Sequence, residues 1–292
     1  MLDREEHVEQ AYFFRVLAER GRQSVAAQDA LAAIREEILA TTKLPLAIDF
    51  LASELRHHGG YATAMAKLGH YFTPFQTFVV TEAENDRGRF DMQMALEILA
   101  REAEYRSAGA GPQGLFLYEF ESLCRNRLGY DKGLSAIAGD SLFDAGWKEW
   151  ILTVRRQVGL VDFADLLFVR SQHYRDLQLR REEGSSEEDA GAEQTSEVEK
   201  PVLFGAKEGR IALANRGRDP LLLFAALHRH LGYPEVPRPV APDDSPKLAT
   251  VLLRRVDRLE ARLKLMEEEQ RGGIDLSKFY TQPGKPPLDD EL

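Results

Sequence analysis

The chain has 292 residues, of which 43% are hydrophobic, and its formal net charge at pH 7 is −10. This length and composition suit one large domain or two modest ones with a true core, and no apolar run approaches the ~20 residues of a membrane-spanning helix. The single cysteine, Cys124, excludes an intramolecular disulfide, and the first residues lack the basic and apolar parts of a signal peptide, so we expect a cytoplasmic protein.

Helical patterns fill residues 1–159, which we predict to form an all-helical domain. Apolar residues recur there every three or four positions, as they do on one face of an α-helix. Residues suited to helix starts and stops separate these patterns, because their side chains or backbone preferences satisfy a helix terminus. The predicted starts are at Asp3, at Pro45, at Thr73 and at Ser141 with Asp144, and the predicted stops are at Gly21, Gly59 and Gly159.

Two of these helices carry the clearest signals. Thr73 and Gln76 have the spacing of a capping box, in which each side chain satisfies a backbone N–H of the other residue, and Pro74 suits the first turn. From Phe143 to Val158, apolar residues follow a 3.6-residue period. We therefore expect two well-defined amphipathic helices at these positions.

Two segments after residue 159 favour β-structure. Leu160–His173 contains a short continuous apolar run, and Val202–Ala214 surrounds Gly205 and Gly209, which suit a hairpin turn with a positive φ at the second glycine. These patterns predict a small antiparallel sheet of about three strands, packed on helices because an isolated hairpin is marginal in water. The sheet and the helix that follows it make up a second predicted domain, residues 160–232.

An acidic segment, residues 181–200, interrupts this domain, and we predict it to be a disordered insert. It contains eight Asp or Glu between Glu182 and Glu199 and no basic residue in that interval. Without them the formal charge of −10 would be about −2, so the rest of the chain is close to neutral. Low hydrophobicity with high charge cannot offset the entropy of ordering a chain, which favours a solvated loop over an electrostatic tether or shield.

The second domain is predicted to end with a helix from Asp219 to Gly232, and a proline-rich linker follows over residues 233–246. Residues 247–271 are predicted to form a coiled-coil-like helix, and residues 272–292 an extended tail. The predicted fold is therefore mainly α: a multi-helix bundle-like domain, a small antiparallel sheet and a C-terminal coiled-coil-like helix.

The C-terminal helix carries apolar residues at alternating three- and four-residue steps, the spacing of a coiled-coil seam. We name this set the C-terminal stripe; it consists of Leu252, Val256, Leu259, Leu263 and Met266. The stripe covers fewer heptads than a secure coiled coil requires. Two interpretations stay open: the helix docks on its own domain, or it pairs with another copy of the chain or with a different protein.

Glu54 and His57 are the candidate metal ligands. They form a Glu-x-x-His unit, which places a carboxylate and an imidazole on one helix face. Di-iron carboxylate bundles use two such units with two further glutamates, and a second unit is missing from this sequence. The alternative is that His57, at the end of its helix, interacts with the C-terminal helix dipole.

The remaining acidic residues of the helical domain suggest no catalytic pair. Glu102 stands near Arg101 and Arg106 in a pattern typical of a solvated helix face. Glu119 and Glu121 are two positions apart, so their side chains diverge on a helix and cannot share a substrate.

Arg210, Arg216 and Arg218 are the candidate anion-binding residues. They belong to a stretch, residues 200–238, that has seven Lys or Arg against three Asp or Glu. If this stretch forms the predicted hairpin, its positive face could bind an anion and the acidic insert could mask it. Nucleic acid is nevertheless not the favoured partner, and no membrane partner is predicted.

Sequence motifs of phosphate-binding loops, nucleophile elbows, zinc proteases and Cys-x-x-C redox sites are missing from the chain. The missing motifs favour a non-catalytic protein but do not exclude an enzyme with a dispersed active site, and no cofactor is predicted. The leading hypothesis is a non-catalytic cytoplasmic scaffold or adaptor that assembles through its C-terminal helix. The alternatives are a helical ligand-binding protein or metal-dependent enzyme with a site near Glu54 and His57, and a weak nucleic-acid or anion binder.

Overall fold

The computed structural model describes residues 2–85, 90–184 and 201–238, without the side chains of residues 58 and 182–184. Residues 1–239 form one compact unit, and residues 240–292 belong to a second unit outside the described residues. None of the described helices combines the length and apolar character needed to cross a membrane. Thirteen α-helices fill the described ranges: α1 (Arg4–Arg22), α2 (Ala27–Glu37), α3 (Leu44–His58), α4 (Ala62–Lys67), α5 (Pro74–Ala83), α6 (Met92–Ser107), α7 (Pro112–Asn126), α8 (Tyr130–Ala138), α9 (Ala145–Gln157), α10 (Phe163–Phe168), α11 (Gln172–Gly184), α12 (Ala206–Ala214) and α13 (Pro220–Leu231).

The most extensive helix pair among the described residues is α1 with α6. One face of α1 buries Phe13, Phe14 and Leu17, and each such side chain contributes about 1.5–3 kcal/mol of hydrophobic stabilisation. The ring of Phe14 lies 6.3 Å from that of Phe72, just before α5. The apolar face of α1 thus joins the α1–α6 pair to the α4–α5 region.

The second half of the compact unit is organised around Trp150 of α9, which is almost fully buried. Its ring centroid lies 4.8 Å from that of Phe116 on α7 and 5.1 Å from that of Phe204, just before α12. It also lies 6.5 Å from Phe163 of α10. Its indole N–H donates to the carbonyl oxygen of Leu166 at 3.2 Å, so the polar end of the ring is satisfied inside the core.

Local capping chemistry sets several helix boundaries where the sequence predicts them. The predicted capping box at the start of α5 is confirmed: the Gln76 N–H donates to Thr73 Oγ1 at 3.2 Å, and the Thr73 N–H donates to Gln76 Oε1 at 3.1 Å. Of the predicted pair Ser141 and Asp144, it is Asp144 that caps α9, since its Oδ1 accepts from the Trp147 N–H at 2.9 Å. At α1 the boundary is near Asp3 as predicted, but no side-chain cap bond forms there.

The predicted three-stranded sheet is wrong, and its first segment is helical. Leu160–His173 contains α10 and the first residues of α11. Asp162 caps α10, because its Oδ1 accepts from the Ala164 N–H at 3.0 Å. The buried residues Phe163 and Leu167 lie four positions apart, on one helix face. An apolar run this short fits a buried helical turn as well as a strand, and the capping aspartate decides in favour of the helix.

The predicted hairpin around Gly205 and Gly209 is also wrong. Gly205 is the N-cap of α12, and Gly209 lies inside this helix. Gly209 does not adopt a positive φ. Its role is steric: a Cβ at this position would lie 2.2 Å from Ser171 Oγ, so glycine allows α12 to pack closely against the start of α11. Pairing of β type within the described ranges is limited to isolated bridges, one of which joins Ser171 to Phe204.

Candidate functional site

Within the described residues, a buried arginine, Arg106, forms ion pairs with three buried acidic side chains. We name this group the Arg106 cluster; it consists of Arg106, Glu102, Glu119 and Asp140. Arg106 Nε donates to Glu102 Oε1 at 2.6 Å, and its Nη2 donates to Glu119 Oε1 at 3.1 Å and to Asp140 Oδ2. The arginine side chain is 8% exposed, and the three acidic side chains are at most 2% exposed. One guanidinium therefore faces three carboxyl groups away from water.

Three elements position the cluster. Glu102 and Arg106 are four residues apart on α6, which places them side by side on one helix face. Glu119 projects from α7, which is buried on nearly all sides. Asp140 lies in the connection between α8 and α9, where its Oδ1 also accepts from the Leu142 N–H at 2.8 Å. The cluster thus ties α6, α7 and the α8–α9 connection together.

Neutral hydrogen-bonding groups continue the cluster towards α1. Gln76 Nε2 of α5 donates to Glu102 Oε2 at 2.9 Å. It also lies 3.5 Å from Gln10 Oε1, and Gln10 Nε2 donates to the Tyr71 carbonyl oxygen at 3.4 Å. The Tyr71 hydroxyl in turn donates to Glu6 Oε2 at 2.8 Å. These amides and the phenol satisfy polar groups that the core encloses.

Burial determines the electrostatics of the cluster. It raises the pKa of Glu102 and raises the pKa of Glu119 well above its usual range, because a charged carboxylate loses its hydration there. The nearby Arg106 opposes both shifts. Burial by itself would lower the pKa of Arg106, but its acidic partners keep that pKa above the ordinary value, so the guanidinium stays charged. His7 on α1 has a lowered pKa, first because of burial and then because of Arg106.

Two buried polar atoms near the cluster have no hydrogen-bond partner: Glu119 Oε2 and His7 Nδ1. Such atoms are rare in protein interiors, because desolvation without a hydrogen bond costs about 1–3 kcal/mol. The cluster is therefore not a fully satisfied network.

The sequence interpretation of Glu102 and Arg106 as a solvated face is wrong, since both side chains lie inside the protein.

The candidate metal ligands Glu54 and His57 both lie on α3, as the sequence pattern predicts. Glu54 Oε2 accepts from Lys67 Nζ at 2.5 Å, so a cation from α4 already faces this carboxylate. Among the described ranges, no three His, Cys, Asp or Glu residues are arranged to hold a metal ion. Gly59, directly after α3, takes the left-handed conformation that ends the helix where the sequence predicts.

The candidate anion-binding arginines lie on and after α12 and not on a hairpin. Arg210 is on α12, whereas Arg216 and Arg218 lie in the turn before α13. Arg216 forms an ion pair with Asp165 and also stacks over the ring of Phe168, with its Cζ 4.4 Å from the centroid. This arginine thus fastens the turn to α10.

Exposed aliphatic residues occur in the two chain segments that meet at this turn. The Gly217 N–H donates to Asp162 Oδ2 at 2.6 Å, so the turn before α13 contacts the turn before α10. Two of the exposed aliphatic residues directly precede Asp162 in the chain, and two others follow Gly217 at the start of α13. We name them the Leu160 surface: Leu160, Val161, Leu221 and Leu222, of which Leu160 is 83% and Leu222 54% exposed.

The last described segment, residues 232–238, is fastened to α6 and α7, and we name it the Tyr233 strap. The Tyr233 hydroxyl donates to Glu121 Oε2 at 2.7 Å. Asn126 Nδ2 donates to the Pro237 carbonyl oxygen at 3.2 Å, and Arg101 Nη1 donates to that of Glu235. Burial raises the pKa of Tyr233, so its hydroxyl remains a donor at neutral pH. The predicted linker therefore begins with an ordered, hydrogen-bonded strap.

Neither the C-terminal stripe nor most of the acidic insert falls within the described residues. Comparison with protein-family models, with curated proteins and with solved structures finds no significant match to this chain.

Proposed function

We propose that the protein is a non-catalytic scaffold or adaptor that assembles through the helix predicted over residues 247–271. The observation that carries this proposal is the C-terminal stripe, whose alternating three- and four-residue steps keep apolar side chains on one helix face. An apolar face of this kind is stable in water only when another apolar surface covers it. A second copy of the chain is the partner to which we commit, since two identical stripes match in length and spacing.

The Tyr233 strap supports this proposal. Its hydrogen bonds to Glu121, Asn126 and Arg101 fix the point at which the chain continues from the compact unit. The strap thus orders the chain of the compact unit up to residue 238, before the proline-rich stretch that leads to the predicted helix.

The Leu160 surface also supports a role in protein contacts. Single exposed hydrophobic residues are ordinary, whereas exposed apolar residues that lie together are typical of contact sites. Leu160 and Leu222 belong to segments that the Asp162–Gly217 hydrogen bond holds together. A scaffold could use this surface for a second partner while the C-terminal stripe mediates self-assembly.

Co-expression of two full-length copies with different affinity tags tests the proposal. Capture of one tag should recover the other copy from the same cells. The double substitution Leu259→Ser and Leu263→Ser should abolish this recovery, because it removes two adjacent side chains of the stripe. The matched control, Glu260→Ser with Lys264→Ser, changes the neighbouring positions of the same predicted helix and should retain it.

Two results would contradict the proposal. The first is failure to recover the second copy with the wild-type sequence when both copies are soluble and abundant. The second is equal recovery with the stripe variant and the control variant, which would place self-association elsewhere on the chain. In the second case, substitution of Leu160 and Leu222 by Ser would show whether the Leu160 surface holds the copies together.

A further inference from the structure

The Arg106 cluster has more acidic groups than its cation can neutralise. Three carboxyl groups, all at most 2% exposed, share one guanidinium. If all three were ionised, the cluster would hold two uncompensated negative charges away from water. Buried charges without partners are strongly unfavourable, and a carboxyl group in such a place takes up a proton instead.

The hydrogen bonds identify the carboxyl that is least stabilised as an anion. Glu102 accepts from Arg106 at one oxygen and from Gln76 at the other. Asp140 accepts from Arg106 and from the Leu142 backbone. Glu119 accepts from Arg106 at Oε1 only, whereas its buried Oε2 has no partner. Glu119 has the fewest hydrogen bonds to stabilise a negative charge, so it is the carboxyl group of the three that binds a proton most readily.

The charged and titratable groups that face Glu119 do not change this balance. Arg106 and Glu102 approach it from α6, and Asp140 approaches it from the α8–α9 connection. His7 on α1 is partly buried, and its pKa is lowered from the ordinary value, so it does not supply a second positive charge at neutral pH. On the α13 side, the Tyr233 hydroxyl binds Glu121 and not Glu119.

We propose that the Arg106 cluster is a built-in proton site, in which Glu119 keeps its proton at neutral pH and loosens the junction of α6, α7 and the α8–α9 connection when it ionises. The proposal is independent of assembly through the C-terminal helix. Its sign follows from linkage: burial raises the pKa of Glu119 above the unfolded value, so unfolding releases this proton. The stabilisation is complete below the unfolded pKa and is lost as the pH rises through the folded one.

The first test is an NMR titration of the full-length wild-type protein labelled with ¹³C at the glutamate side-chain carboxyls. The Cδ signal of Glu119, assigned by its loss in Glu119→Gln, should keep the chemical shift of a protonated carboxyl at pH 7. A Cδ signal that titrates near the ordinary glutamate pKa of about 4.3 would overturn the proposal. If Glu119→Gln does not fold, the Glu119 Cδ signal can be assigned in the wild-type spectrum instead, by through-bond correlation with the backbone of Glu119.

The second test is the pH dependence of urea unfolding between about pH 6 and about pH 8, where each proton released on unfolding contributes a fixed slope. Wild-type protein should release about one proton more than Glu119→Gln in this interval. The control Glu104→Gln, at an exposed position of α6, makes the same chemical change and should leave the wild-type slope unaltered. Equal slopes for Glu119→Gln and the wild type would contradict the proposal.

Discussion

Substitution of Arg106 by Met tests whether the Arg106 cluster organises the helical unit. Methionine has a similar length but no charge, so Arg106→Met removes the guanidinium from Glu102, Glu119 and Asp140 without leaving a large void. Removal of one partner from a buried ion pair costs about 3–5 kcal/mol, because the other charge stays buried and unpaired. Here the arginine side chain is 8% exposed and serves three acids, so we expect the loss to lie in the upper part of this range.

The free energy of unfolding should be measured by urea titration with far-ultraviolet circular dichroism. Arg22→Met is the matched control, because Arg22 also pairs with a glutamate of α6, Glu97, but is 55% exposed. A surface pair of this kind contributes about 0–1 kcal/mol. The loss in Arg106→Met should shrink at acidic pH, since protonation then removes the unpaired negative charges. If Arg106→Met and Arg22→Met cost the same at pH 7, the cluster does not organise the unit.

Three further substitutions address other parts of the compact unit. Trp150→Ala should destabilise it by about 3–5 kcal/mol in urea unfolding, because the indole contacts aromatic rings from three directions. Tyr233→Phe should cost about 1–3 kcal/mol by the same assay and speed amide hydrogen exchange in the Tyr233 strap, because Glu121 loses a buried donor. Thr73→Ala should cost about 1 kcal/mol in thermal unfolding through loss of the capping box.

Each substitution has an outcome that would contradict its reasoning. A loss below about 1 kcal/mol for Trp150→Ala would mean that the rings around it do not form the core described. Unchanged hydrogen exchange after Tyr233→Phe would show that other contacts hold the strap. Equal stability of Thr73→Ala and Thr73→Ser would show that the hydroxyl is not the capping group, since serine preserves it.

Helix boundaries were the most predictable part of this fold, because capping is local chemistry. Thr73, Asp144 and Asp219 each accept a backbone N–H at the start of a helix, and each can be recognised from a few neighbouring residues. The stops at Gly59 and Gly232 follow equally local rules, since both glycines take the left-handed conformation.

The sheet was mispredicted because short apolar runs do not distinguish a strand from one buried helical turn. Two local signals pointed to the correct answer. Asp162 stands directly before Phe163 as an N-cap, and Phe163 and Leu167 have helical spacing. Gly209 misled for another reason: its small size serves close packing against Ser171, a contact between residues far apart in the chain.

The Arg106 cluster could not be assembled from sequence alone, because its members come from three separate segments. Glu102 and Arg106 have the spacing of an ordinary surface ion pair, and nothing local connects them to Asp140. One signal was present in α7, where apolar and aromatic residues surround Glu119 on every side of the helix. A helix that is apolar all round is buried, so any acid on it requires a partner.

The molar mass of the full-length protein in solution tests the central claim, assembly through the C-terminal stripe, most directly. Sedimentation equilibrium of the wild-type chain should give at least twice the 33.0 kDa mass of one copy. The double variant Leu259→Ser and Leu263→Ser should return the mass to that of a single chain. A wild-type mass of 33.0 kDa at every concentration would contradict self-assembly through residues 247–271.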